Sequence, residues 1–155
     1  MKRFISRYEK IRHLRAQQED TCRAAAAARN TERMAAENNR NEIQIRLTEC
    51  EKLVAREMSM GLSGALFQSV TSLIEKGKAD LSKASEELRL AEGRLQEALV
   101  LHKQARAELK IVEEMIQRER SEHRRQQLKE QENQLQEQAS QAYYREQQLS
   151  RSSES

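Results

Sequence analysis

One stripe of residues limits what this chain can become. From Phe67 to Gln126, one position of a seven-residue repeat carries Phe67, Ile74, Leu81, Leu88, Leu95, His102, Leu109, Ile116 and His123. Three residues further on in each repeat stand Val70, Gly77, Ala84, Ala91, Ala98, Ala105, Val112, Glu119 and Gln126. Large side chains at one site and small ones at the other, with a mean period of 3.5, make a heptad seam. A lone helix cannot bury such a seam, so a partner helix is required.

Composition agrees. The 155 residues are 34% charged and 37% hydrophobic, with no Trp and no Pro. That is too little apolar material for a globular core, and the lack of proline permits very long helices. The formal net charge of +3 comes from interleaved positive and negative residues. This describes a solvated helix surface, not a nucleic-acid footprint, and no aromatic stacking platform accompanies the charge. No apolar run reaches the ~20 residues of a membrane span. The start, Met1 to Tyr8, lacks the apolar core of a signal peptide, and the expected location is cytoplasmic.

A first helix is expected over 2–57. It opens with Phe4, Tyr8, Ile11 and Leu14, passes through the alanine run between Arg23 and Arg29, and ends on Ile43, Leu47, Cys50 and Val54, spaced as a clean seam. The segment 58–64 holds two of the four glycines and two serines, which suit a left-handed helix end and the cap of a following helix. A second helix is expected over 65–148, with a disordered tail at 150–155. A short turn between long helices makes them antiparallel neighbours. The expected fold is therefore all-α: a single domain over 1–149 in which two long helices form an antiparallel coiled-coil hairpin, helix 2 projecting beyond helix 1. In the register the turn implies, Val54 lies near Phe67 and Val70, Leu47 near Ile74, and Ile43 near Leu81. Phe4, Ile11 and Leu14 meet Ile116, Val112 and Leu109.

Little in the chain suggests catalysis. His13, His102 and His123 are far apart, and no Cys/His spacing resembles a metal site. Two helices offer no pocket in which reacting groups converge. No catalytic, cofactor or metal residue is assigned, and no small-molecule substrate. The seam histidines read as register-setting groups. Cys22 and Cys50 lie about 42 Å apart along one helix at 1.5 Å per residue, too far to bridge. They read as small seam residues.

Two regions look suited to partners. Lys2, Arg3, Arg7, Lys10, Arg12 and Arg15 crowd one helix end, and Arg118, Arg120, Arg124, Arg125 and Lys129 crowd the stretch the hairpin would bring beside it. Like charge there opposes pairing, so an acidic partner would relieve it; the plain alternative is a solvated face with intervening Glu9, Glu119 and Glu122. At the turn, Met58, Met60, Leu62, Leu66 and Phe67 are more apolar than a turn requires. They either cap the coil or form an adaptable contact.

The order of short motifs resembles the flagellar FliJ family. The opening Met1-Lys2-Arg3-Phe4, the run Arg7-Tyr8-Glu9-Lys10-Ile11-Arg12-His13-Leu14-Arg15 and the pair Glu19-Asp20 are similar to the start of those proteins. Tyr8 stands where Leu is usual, and His13 replaces an aliphatic. Met58-Ser59, Gly61-Leu62, Leu73-Ile74-Glu75-Lys76 and Asn133 to Ala139 carry the likeness along the chain. The resemblance implies a non-catalytic stalk and adaptor of the flagellar type III protein export apparatus. Such a stalk inserts into the hexameric export ATPase ring, couples it to the membrane export gate and handles export chaperones. It would work at the cytoplasmic face of the inner membrane, held there through its partners. On this reading Arg3, Arg7, Arg120, Arg124 and Arg125 at the open end face the ATPase ring. Ile43, Cys50, Val70, Ile74, Gly77 and Leu81 match family positions that meet the gate. Several of those also form the intrachain seam, so both roles cannot be filled at once. The alternatives are the stalk of a virulence type III secretion system, or a generic scaffolding coiled coil such as a parallel dimer.

Overall fold

A computed structural model describes residues 4–61 and 63–153. It contains two helices, α1 (Glu9–Ser59) and α2 (Gly64–Ser153), and no strand among the described residues. The two pack against each other as an antiparallel coiled-coil hairpin, as the stripe required.

The break between the helices follows from local chemistry. Gly61 adopts φ +87°, a backbone conformation that L side chains rarely take. The Met60 and Gly61 amides donate to the carbonyls of Glu57 and Met58, closing the end of α1. The Ser63 carbonyl accepts the Phe67 amide at 3.0 Å and so begins the hydrogen-bond ladder of α2. Leu62 lies outside the described residues.

Both outer boundaries differ from expectation. Helix α1 starts at Glu9 rather than near Lys2. Ser6 explains the delay. Its Oγ accepts the Tyr8 amide at 3.1 Å and its carbonyl accepts the Glu9 amide at 3.3 Å, a capping arrangement that starts the helix late. At the other end α2 continues to Ser153, through part of the segment expected to be disordered. Ser150 and Ser152 turn their hydroxyls back onto the carbonyls of Gln147 and Leu149 within the helix.

The chain packs as two compact units, one of residues 16–107 and one combining 1–15 with 108–155. Within the first, the inward positions of α2 run Val70, Ile74, Gly77, Leu81, Ala84, Leu88, Ala91, Leu95, Ala98, His102 and Ala105, spaced alternately by four and three. Ala84, at 3% exposure, and Ala91 are buried, and the larger neighbours are half-buried. Phe67, expected to open the seam, is 43% exposed.

The facing stripe of α1 is aliphatic only towards the turn. It runs through Cys22, Ala26, Arg29, Arg33, Ala36, Arg40, Ile43, Leu47, Cys50 and Val54 in strict alternation, with Glu37, Gln44 and Thr48 half-buried beside it. Three arginines therefore lie over the alanine-rich middle of α2. Small residues opposite leave room for the arginine stems, while the guanidinium heads reach acids at the edge. Arg29 bonds Glu32 at 2.8 Å and Arg33 bonds Glu37 at 2.9 Å. Across the helices, Arg94 reaches Glu32 at 3.8 Å and Lys78 reaches Glu51 at 3.9 Å.

In the second unit, Val112 and Ile116 are buried and Leu109 is half-buried. Their expected partners Ile11 and Leu14 are exposed, which corrects that pairing. The covered residues there are Arg15 on α1 and Tyr8 just before it. Phe4 also meets a different layer. Its ring lies 5.2 Å from His123, past Ile116. The reason is geometric: residues 4–8 are not helical, and non-helical chain advances further per residue than the 1.5 Å of a helix. The seam thus extends to His123. Beyond it, Gln127 rather than Gln126 is half-buried, so two steps of four follow one another and the heptad is lost. Every side chain described from Leu128 onward is exposed.

Candidate functional site

The basic end is built from the capped start of α1 and the facing turns of α2. Ser6 is buried although polar. Its hydroxyl donates to Glu119, and Arg7 lies 3.5 Å from the other oxygen of the same carboxylate. Arg15 pairs with Glu108, and Arg12 with Glu9. Acids of the chain itself therefore neutralise part of the charge that was expected to await an acidic partner. Arg7 also stacks on Tyr8, 4.8 Å from the ring centre, and Arg120 lies 6.0 Å from the Phe4 ring centre. Phe4, Ile5, Ser6, Glu9, Ile116 and Arg120 line a shallow open depression here.

Of the residues assigned to this end, Arg3 lies outside the described residues. Arg7 and Arg120 are gathered around Phe4 and Ser6. Arg124 and Arg125 are exposed and make no ion pair with another described residue. They stand on α2 where the heptad is lost. The bare helix that follows shows Leu128, Leu135, Tyr143, Tyr144 and Leu149 to solvent. Leu128, Leu135 and Leu149 repeat by multiples of seven, offset from the filled seam.

The second assigned set lies elsewhere. Ile43, Cys50, Val70, Ile74, Gly77 and Leu81 are all half-buried in the seam between α1 and α2. Leu47 presses against Gly77, where an added Cβ would stand 3.0 Å from its Cδ1. These residues are largely occupied by self-pairing. The apolar surface nearest the turn consists instead of Leu53, Met58, Met60, Leu66, Phe67 and Leu73, all exposed, Met60 at 83%. They do not cap the coil.

Sequence reasoning missed one polar centre in the seam. Glu19 is only 5% exposed. Arg23, one turn along α1, holds its carboxylate with Nη2 at 2.6 and 2.8 Å, and His102 of α2 approaches with Nε2 at 2.8 Å. The Arg23 guanidinium first, and His102 second, hold the Glu19 carboxyl below the usual carboxylate range against the opposing effect of burial. The spacing of Glu19 and Arg23 on one helix face was a visible signal. Ser6 was also detectable, since Ser6-Arg7-Tyr8-Glu9 is a capping-box sequence.

The chemistry of both ends is that of surfaces. No group of three or more His, Cys, Asp or Glu able to hold a metal occurs among the described residues. No helix among them is long and apolar enough to cross a membrane. The family described as flagellar FliJ protein matches residues 4–148. No curated protein and no solved structure matches the chain.

Proposed function

The chain belongs to the flagellar FliJ protein family, and from that premise we propose that it is a non-catalytic stalk of the flagellar protein export apparatus. The family match over residues 4–148 carries this reading. In it, the unfilled part of α2 enters the central opening of the hexameric export ATPase. Arg124 and Arg125, followed by the exposed Leu128 and Leu135, supply the contact. A single bare helix is thin enough to enter a ring, and unpaired cations beside a broken heptad suit an acidic, partly apolar lining.

The opposite contact, to the membrane export gate, is assigned to the half of the hairpin near the turn. The six residues Ile43, Cys50, Val70, Ile74, Gly77 and Leu81 are half-buried in the seam of that half, Gly77 against Leu47. The exposed Met58, Met60, Leu66 and Phe67 offer the surface a partner would touch. Methionine side chains adapt to varied surfaces, which also suits export chaperones. The protein would be held at the cytoplasmic face of the inner membrane by these partners.

The test is a pull-down with the export ATPase and with the cytoplasmic domain of the gate. Arg124→Glu with Arg125→Glu should abolish ATPase capture while far-UV helicity is unchanged. Met60→Asp with Phe67→Asp should weaken gate capture only. Undiminished ATPase binding by the first variant would refute the assignment of that end.

A further inference from the structure

The aliphatic seam of α2 has an ambiguity built into it. Leu81, Leu88 and Leu95 repeat by seven, as do Ala84, Ala91, Ala98 and Ala105. Sliding α1 along α2 by one heptad would set the α1 residues that face Leu81 to Ala98 over mostly the same kind of side chain. The α1 stripe does little to prevent this. From Cys22 to Arg40 it offers small residues and arginines, and arginine stems are flexible. Packing of the repeated layers alone leaves the shifted registers close in energy, yet one register is adopted.

Two layers of the 16–107 unit do not repeat. In one, the covered Glu19 bonds His102 at 2.8 Å across the helices and is tied off by Arg23. A slip by one heptad would put the Glu19 carboxylate against Leu95 or Leu109, leaving it covered without its cross-helix partner. In the other, Leu47 fills the space above Gly77, the one glycine at a seam position. A slip would bring Leu47 against the side chain of Val70 or Ala84. One layer discriminates by charge and the other by size. They lie 28 residues apart on α1, so each checks a different stretch.

We propose that the Glu19–His102 pair and the Leu47–Gly77 notch together select the pairing register of α1 on α2. Their purpose is choice between registers rather than raw stability. A covered polar pair adds little net stability over an apolar pair of similar size, while it penalises every arrangement that separates its members.

The experiment places spin labels at Glu32→Cys and Arg94→Cys, whose native side chains lie 3.8 Å apart, in a Cys22→Ala/Cys50→Ala background of the full chain. The parent should show one inter-label distance. Glu19→Leu with His102→Leu should keep full helicity, melt no lower than the parent, and gain a second population displaced by about 10 Å along the axis, the rise of one heptad. Adding Gly77→Ala should enlarge that population. A single parental distance in both variants would overturn the proposal. So would loss of helicity on Glu19→Leu/His102→Leu, because the polar layer would then be supplying the packing itself.

Discussion

Two stretches of α2 carry the same helical backbone under opposite conditions. Between Val70 and His123 every third or fourth side chain is covered by α1 or by the segment before it. Between Leu128 and Ser152 none is. Both stretches lack proline and are rich in good helix formers, so propensity does not separate them. Long-range contact does. In the covered stretch helicity is supported by burial of Ala84, Ala91, Val112 and Ile116. In the bare stretch it rests on local terms, such as the bond from Gln147 to the Tyr143 hydroxyl. A helix of the second kind is available to a partner because no described residue of another element covers it.

The sharpest way to break this comparison is one substitution made twice. Ile116→Asp puts a carboxylate into a covered layer and should cost about 3 kcal/mol or more. Leu135→Asp, at a site 65% exposed, should change stability by less than ~0.5 kcal/mol. Thermal melts followed by circular dichroism decide. Equal losses would mean that the bare stretch has a hidden intrachain partner.

Hydrogen exchange sharpens it next. Amides from Ala84 to Ile116 should be protected at least ~100-fold more than those from Gln131 to Gln148, since the latter open without breaking any contact to α1. Uniform protection along α2 would contradict the division.

Acid provides a third test. Glu19 and Glu86 are each held below the usual carboxylate range, Glu19 by Arg23 and His102, Glu86 by Arg89 alone. A depressed carboxyl contributes stability at pH above its unfolded value, and that stability is lost as pH falls through the folded value. The covered Glu19 should therefore make the hairpin less stable below the ordinary carboxylate range, and Glu19→Gln should flatten that part of the profile. Glu86→Gln should flatten it much less, because an exposed pair on one helix is screened by solvent. Denaturant midpoints measured as pH is lowered compare the two variants.

The smallest effect concerns two helical glycines. Gly93 has open space where a Cβ would go, and Gly93→Ala should stabilise by about 0.5–1 kcal/mol. Gly77→Ala should gain less or nothing, since its Cβ must displace Leu47. Calorimetric melting temperatures rank them. A larger gain at Gly77 would remove it as a size check.

Much of this architecture was legible because α2 announces its seam in aliphatic and small residues. A Leu/Ala alternation has one economical explanation, and the break at Gly61 leaves one place to turn. The basic end was legible in composition but not in pairing. Glu108 and Glu119 lie far from Arg15 and Arg7 in sequence, so their mutual neutralisation depends on register. The turn residues were read as either a cap or a contact, and their exposure speaks against the cap.

The sequence by itself determined that there would be two long helices, antiparallel, with α2 supplying the repeated face. That follows from a period any partner helix must answer. Tertiary structure decided which face of α1 would answer it. Ile11 and Leu14 look like core and are not. Arg29, Arg33 and Arg40 look like surface, yet they lie in the seam. An arginine carries an apolar stem and a charged head, so it tolerates a seam position where the facing stretch is rich in small residues, as α2 is from Ala84 to Ala98. Tertiary structure also brought Ser6 to Glu119, Phe4 to His123 and Glu19 to His102. The physical reason is common to all three. A helical repeat specifies which face pairs, whereas the turn and contacts between distant, unlike residues specify how far along it the partner is set.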